Sequence, residues 1–455
     1  MSDSATNRQN KLKEIQASIF ANYEKRTPTS ASLFKRACNS LAGGTTGNLR
    51  YFQPYPIYEK GGKSSRVYDV DDNEYIDCFL CNGPLLLGHK HPAVIASIEK
   101  YKNIGPLVVN PEIIIDAAEL VQETVPCAER IRFLNSGTEA VIMAVRYARA
   151  YSGKSKVIKF YGHYHGQHDQ FLTGLGTSND PFGAGVPVAT TSNTLLSPYG
   201  DIEELLQIIN TNDDVAAIIL DPAMHAGGLW GSTSDYLQTV RELTSKNNIV
   251  LIFDEVITGF RLSLGGGQSH FGVTPDLTTL GKALGAGEKL AAVAGKEEIM
   301  RVVDPHALAD TPRVFQSGTG NDGTAAIAAG IGAINTYKAL DAEGAYQHLH
   351  EIGKQLAGGI HAAFASRGIP CHVNQLGPML QMFLSDEDAS FERYASLDLE
   401  VLSLFFLALI NEGVILTLPT SNHIYLSFYH SVEDINIVIA KVNVVLDKYD
   451  FKSIT

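Results

Sequence analysis

From about residue 90 onward the chain alternates short, continuous apolar runs with helical stretches. The apolar runs cover residues 131–134, 157–160, 215–220, 249–253 and 277–280, and helical patterns such as 138–151 and 202–209 fall between them. A strand with no polar alternation is buried on both faces, and crossover helices supply the cover. The pattern therefore predicts a mostly parallel α/β sheet with helices on both sides. At 455 residues with 45% hydrophobic side chains, the chain can bury a core of that size.

The ends of the chain read differently. The first thirty residues suggest an amphipathic helix with Leu12, Ile15, Ile19 and Phe20 on one face, followed by a loop at 43–47. A hairpin at 66–77 turns at Asp71-Asp72-Asn73. After an Ala-rich helix at 324–340, a helix near 347–367, a strand near 379–384, a helix near 397–412 and a strand near 425–428 indicate a small α+β domain. We expect an N-terminal segment at 1–90, a large domain at 91–335 and a small domain at 336–455, the two terminal segments together forming the small α+β domain.

A net charge of -13 argues against a nucleic-acid scaffold and against a basic membrane-surface protein. Five cysteines spread over this length suggest reduced thiols rather than a disulfide framework. Cys78 and Cys81 form C-x-x-C in an apolar stretch, which reads as core or pocket-wall thiols rather than a redox pair. The polar N-terminus lacks the apolar segment of a secretory signal, and no run is long enough to span a bilayer, so a cytoplasmic protein is expected.

The run at 249–253 ends on Asp254, and the run at 277–280 is followed by Gly281 and Lys282. A carboxylate at the mouth of a buried strand and a lysine among glycines and apolar residues are what pyridoxal 5'-phosphate requires. The lysine carries the coenzyme as an imine, and the acid keeps the pyridine nitrogen protonated. Lys289 and Lys296 are rivals with less suitable surroundings, and Glu255 should point away from Asp254.

The run at 131–134 leads into Asn135-Ser136-Gly137-Thr138-Glu139, which opens a helix. Free N–H groups, the positive helix end and two hydroxyls suit a phosphate, although the same residues also read as an ordinary helix cap. After 157–160 come His163, Tyr164, His165 and His168. Their spacing fits no standard zinc site, and the alternative is that Tyr164 or a neighbour stacks on a flat ring while a histidine lines the pocket. Residues 318–323 match G-x-G-x-x-G letter by letter but lack the preceding strand of a dinucleotide site.

With these segments the chain resembles the class III, fold-type I pyridoxal phosphate aminotransferases, most closely the glutamate-1-semialdehyde aminomutase-like branch. The matching stretches are Asn-Ser-Gly-Thr-Glu-Ala at 135–140, Tyr-His-Gly at 164–166, Asp-Glu-Val-Ile-Thr-Gly-Phe-Arg at 254–261 and Pro-Asp-Leu-Thr-Thr-Leu-Gly-Lys at 275–282. Residues 83–92, 317–319 and 412–414 match as well. The resemblance implies a large domain built on a mostly parallel seven-stranded sheet. It implies that Ser136, Gly137 and Thr138 bind the phosphate, Tyr164 stacks on the ring and Val256 packs on its other face. Asp254 then pairs with the ring nitrogen, and Lys282 forms the internal aldimine. It further implies a homodimer with a shared site, reached by Thr319 of the second subunit, and a substrate carboxylate held by Arg50.

Departures fall in the substrate half. Gly47 replaces an expected serine, Asn82 an expected tryptophan, and Asp221 the usual glutamate before proline. Residues 419–425 lack the acid that an aminomutase directs at its substrate's amino group, and 320–324 replace a more usual Gly-Asn-Pro ending. The expected activity is amino transfer between an amino carboxylic acid and an oxo acid. Intramolecular transfer by an aminomutase, or racemisation, are the alternatives.

Overall fold

The computed structural model describes residues 3–105, 109–308, 311–385, 391–395 and 397–455. Two compact units result: residues 1–91, 347–389 and 396–455 form one, and residues 92–346 with 390–395 form the other. The first unit begins with the helix Asp3–Arg26, which buries Leu12, Ile15, Ile19 and Tyr23. Their spacing of three and four residues forms one face of the helix, and Tyr23 takes the place expected for the half-buried Phe20. Strands β1 (Glu59–Lys63), β2 (Arg66–Asp69) and β3 (Glu74–Asp77) form an antiparallel meander. The expected turn at Asp71-Asp72-Asn73 is held by Asp69 Oδ1, which accepts the N–H groups of Asp71 and Asn73.

The second unit contains seven strands in one sheet. They are β4 (Arg130–Leu134), β5 (Lys156–Phe160), β6 (Thr194–Ser197), β7 (Val215–Leu220), β8 (Val250–Glu255), β9 (Leu277–Leu280) and β10 (Ala291–Gly295), in the order β4-β10-β9-β8-β7-β5-β6. Only β10 runs antiparallel to its neighbours. Every residue of β7 and β8 is buried, as continuous apolar runs require. β6 and β10 are not announced by the sequence. β10 reads Ala-Ala-Val-Ala-Gly, with little β-propensity, and its Gly295 is needed because a Cβ there would lie 2.5 Å from the Asp276 carbonyl oxygen. The C-terminal ends of β4, β9, β8, β7 and β5 share one edge, the edge at which open α/β sheets place ligands.

The chain returns to the first unit with β11 (His372–Leu376) and β12 (Met379–Phe383), then β13 (Val414–Ile415) and β14 (Ile424–Tyr425). β13 pairs in parallel with β3, so the two terminal segments share a sheet. The strand expected at 425–428 is reduced to Ile424–Tyr425. Beyond it Leu426 N–H donates to Pro378 O, still in register with β12, whereas Phe428 N–H donates to Leu86 O, off that ladder. Helix Leu399–Asn411 is apolar nearly all round and correspondingly buried, with Asp398 as its N-cap. No described helix is long and apolar enough to cross a membrane.

Candidate active site

Asp254 lies near the end of β8, buried, with its carboxylate surrounded by donors. Oδ2 is 2.7 Å from His165 Nδ1, while Oδ1 accepts from Thr279 Oγ1 at 2.8 Å and from Val256 N–H at 3.2 Å. Thr279 reaches it because β8 and β9 pair in register at Asp254↔Thr279. Three partners fix the orientation of this carboxylate. Burial holds the His165 imidazole below the usual histidine range despite Asp254, so at neutral pH the ring is uncharged with its proton on Nδ1. The sequence reading left His165 and Thr279 unassigned. The signal was present in the second case, as polar Thr278 and Thr279 inside an otherwise apolar strand.

Asp221 follows β7 directly and flanks Asp254, since Leu220 pairs with Phe253. Its carboxylate accepts the N–H groups of Ala223 and His225, both at 2.9 Å. Burial, then the charge of Asp254, pushes its pKa up to about 7 against the opposing pull of those two N–H groups and of Lys282. The Asp221 N–H donates to His163 Nδ1 at 3.1 Å, which fixes the His163 proton on Nε2. Lys282 begins a single 3-10 turn after Gly281, with φ of 43°. A lysine in the left-handed region is strained, and such strain gathers at functional positions. Lys159 is buried on β5, donates to Phe171 O and Thr173 O, and is held down to about 7 by burial.

Ser136 caps the helix Gly137–Ser152, its hydroxyl accepting from Glu139 N–H, while Glu139 accepts the Asn135 N–H in return. The N–H groups of Gly137 and Thr138 make no backbone hydrogen bond among the described residues, as the first turn of a helix leaves them. A Cβ at Gly137 would stand 2.9 Å from both methyls of Val256, and one at Gly281 would stand 3.2 Å from the nearer of them. Val256 therefore lies against both the helix start and the lysine turn. The next loop lies on the same helix start, because Gln167 N–H donates to Thr138 Oγ1 and a Cβ at Gly166 would meet that oxygen at 2.5 Å. Tyr164 is half-exposed, and its pKa is raised by burial and then by the Asp254 charge. Lys282, Asp254, Val256, Tyr164, Ser136, Gly137 and Thr138 thus gather at one sheet edge. A buried carboxylate, a lysine, a helix start with open N–H groups and glycine-cleared space fit pyridoxal phosphate.

Thr319 is exposed, in a turn whose Asn321 Oδ1 accepts from Asn135 Nδ2 at 2.9 Å, beside the helix cap. Arg50 is exposed in the other unit, in the 3-10 turn Asn48–Arg50, with Nη1 3.4 Å from Thr46 Oγ1. Asn82 in that unit lies in a run of four consecutive residues at positive φ, from Leu80 to Gly83, and its Oδ1 accepts from Tyr425 OH at 3.1 Å. Cys78 is buried as expected, but Cys81 is exposed, turned outward by the same left-handed stretch. Of the rival lysines, Lys296 is paired with Asp276 at 2.7 Å and Lys289 is exposed. Glu255 points away from Asp254 and is spent on Thr258 and the N–H groups of Gly267 and Gln268. Residues 318–323 form a turn ahead of the helix Thr324–Ala342, with no strand entering it.

A family model described as "Aminotransferase class-III" matches residues 50–442. The chain belongs to the class III aminotransferases. It is accordingly a pyridoxal phosphate-dependent enzyme of fold type I. A glutamate-1-semialdehyde 2,1-aminomutase from Natranaerobius thermophilus is 39% identical over 433 residues, 93% of this chain and 99% of that protein. A second protein of that name, from Archaeoglobus fulgidus, is 36% identical over 91% of this chain and 98% of its own length. Among solved structures, an omega-transaminase from Sphaerobacter thermophilus superposes with a TM-score of 0.86 at 31% identity, covering 92% of this chain and 98% of that one.

Proposed function

We propose that this enzyme is an aminomutase of the glutamate-1-semialdehyde type, moving an amino group between neighbouring carbons of one amino oxo carboxylic acid. The observation that carries this reading is the match, along nearly the full length of both partners, to relatives bearing that name. Pyridoxal phosphate, when bound, supplies an electron sink that makes a carbon-bound proton of the amine acidic. Ser136, Thr138 and the N–H groups at the start of their helix hold its phosphate. Asp254 would hold the proton of the ring nitrogen, and His165 and Thr279 orient its carboxylate. Val256 and Tyr164 would pack against the ring. Lys282 holds the coenzyme through Nζ and, once released, takes a proton from the substrate carbon and returns it to the adjacent position. Arg50 pairs its guanidinium with the substrate carboxylate, and Thr319 of a second copy completes the phosphate site in a homodimer.

A second reading, transfer between separate amino and oxo acids, is favoured by the altered substrate half: Gly47, Asn82 bonded to Tyr425, and no acid at 419–425. One incubation separates the two. The purified enzyme, loaded with the aminated coenzyme and given a single amino oxo acid without any added acceptor, isomerises it over many turnovers if the first reading holds. Conversion that stops after one equivalent, with the amino group of the coenzyme spent, and resumes only on adding an amino acid as donor establishes the second.

A further inference from the structure

A small pocket on the outer face of the helix Gly137–Ser152 combines two arginines, a histidine and a glutamine with apolar side chains. Ile142, Val145, Arg146 and Arg149, spaced as one helical face, form its floor. His168, Gln170 and Phe171 close a cavity of about 100 Å³. The orientation of each polar group is fixed by a bond behind it. Arg149 donates through Nε to Ser155 O at 2.7 Å and through Nη1 to Gln170 Oε1 at 3.1 Å. That second bond sets the Gln170 amide with its nitrogen away from Arg149, and Gln170 Nε2 is buried with no hydrogen-bond partner among the described residues. The Gln170 N–H donates to His168 Nδ1 at 3.2 Å, leaving the His168 proton on Nε2. Arg146 makes only a long contact to Phe315 O at 3.4 Å and one to Met143 Sδ at 3.9 Å.

Neither arginine has a carboxylate partner among the described ion pairs, in a chain whose net charge is -13. Asp169 acts on His168 and Asp214 on Arg149, but burial together with Arg146 and Arg149 still holds the His168 ring below the usual range. Two guanidinium groups that line one cavity without a carboxylate suit an anionic occupant, and an apolar one would leave them unpaired.

We propose that the pocket formed by Arg146, Arg149, His168 and Gln170 binds a compact oxyanion, at a site distinct from the coenzyme phosphate loop at the other end of the same helix. The volume admits one phosphate or carboxylate group. The test uses holoenzyme, so that the coenzyme occupies its own phosphate site, and follows the His168 ring resonance by NMR, assigned with His168→Gln. Inorganic phosphate and acetate are titrated separately at constant ionic strength, with chloride as the reference. We expect a saturable shift and a rise in the His168 pKa, because a nearby anion favours the charged ring. Arg146→Gln, an exposed position, and Gln170→Leu should each weaken binding roughly tenfold, the worth of one charge-assisted hydrogen bond. Saturation by phosphate alone assigns a tetrahedral anion, and saturation by acetate alone assigns a carboxylate. A chloride response equal to that of both oxyanions, no saturable shift, or unchanged affinity in the two variants overturns the proposal. Coenzyme loading is read independently from its visible absorbance, so failure here is separable from failure of the aminomutase reading.

Discussion

Replacing His165 by Phe removes one of the three donors that hold Asp254. The ring is fully buried, its Nδ1 stands 2.7 Å from the carboxylate, and its packing against Phe171 at 6.0 Å between centroids can be kept by a phenyl ring in place of the five-membered imidazole. A hydrogen bond to a charged group is worth about 1.5–3 kcal/mol, and its loss here leaves Thr279 Oγ1 and Val256 N–H in place. The stability of the coenzyme-free protein should therefore fall by about 2 kcal/mol at neutral pH. Chemical denaturation of coenzyme-free protein measures the loss. Thr279→Val should behave similarly, and the double variant should depart from additivity because both donors serve one carboxylate. The reasoning fails if His165→Phe leaves stability within about 0.5 kcal/mol of the parent, the range of an ordinary surface change.

Gly137→Ala places a methyl group 2.9 Å from Val256, so coenzyme affinity measured by equilibrium dialysis should drop, on the order of tenfold for a crowded contact of this kind, and Val256→Ala should restore part of it. Asp221 is protonated more readily in the folded chain, with a pKa of about 7 against 3.8 unfolded, so the native state binds the extra proton and stability contributed by this group falls as pH rises between those values. Asp221→Asn should flatten that slope in urea titrations, whereas an unchanged slope would show that another group carries it. Lys159 works in the opposite sense: its pKa of about 7 lies below the 10.5 of the unfolded chain, so its contribution increases as pH rises from 7 to 10.5. Lys159→Met should remove that rise, which melting temperatures at a series of alkaline pH values will show.

The sheet was legible because burial on both faces writes itself as uninterrupted apolar residues, and β7 and β9 coincide with the expected 215–220 and 277–280. β10 was not, since Ala-Ala-Val-Ala-Gly owes its strand conformation to β4 and β9 on either side rather than to its own side chains. The coenzyme residues stood out because a strand end or helix start constrains the sequence locally, as at Asp254 and Ser136. His165, His163 and Thr279 gain their roles through pairing across 89, 58 and 25 positions of sequence, and only Thr279 leaves a local trace, as a polar residue inside a buried strand. Asp221 could be seen as a departure from the family, but its neighbour Asp254 is brought beside it only by the register of β7 against β8.

The central claim is that Lys282, beside Asp254 at the sheet edge, is the residue that carries pyridoxal phosphate. Reduction of the coenzyme-loaded protein with borohydride, followed by peptide mass spectrometry, tests it most directly. The account predicts loss of the visible absorbance band and one pyridoxyl group on the peptide containing Lys282, with no labelling in Lys282→Ala. A label on Lys159, Lys289 or Lys296 instead, or an absorbance band that survives reduction, would contradict it.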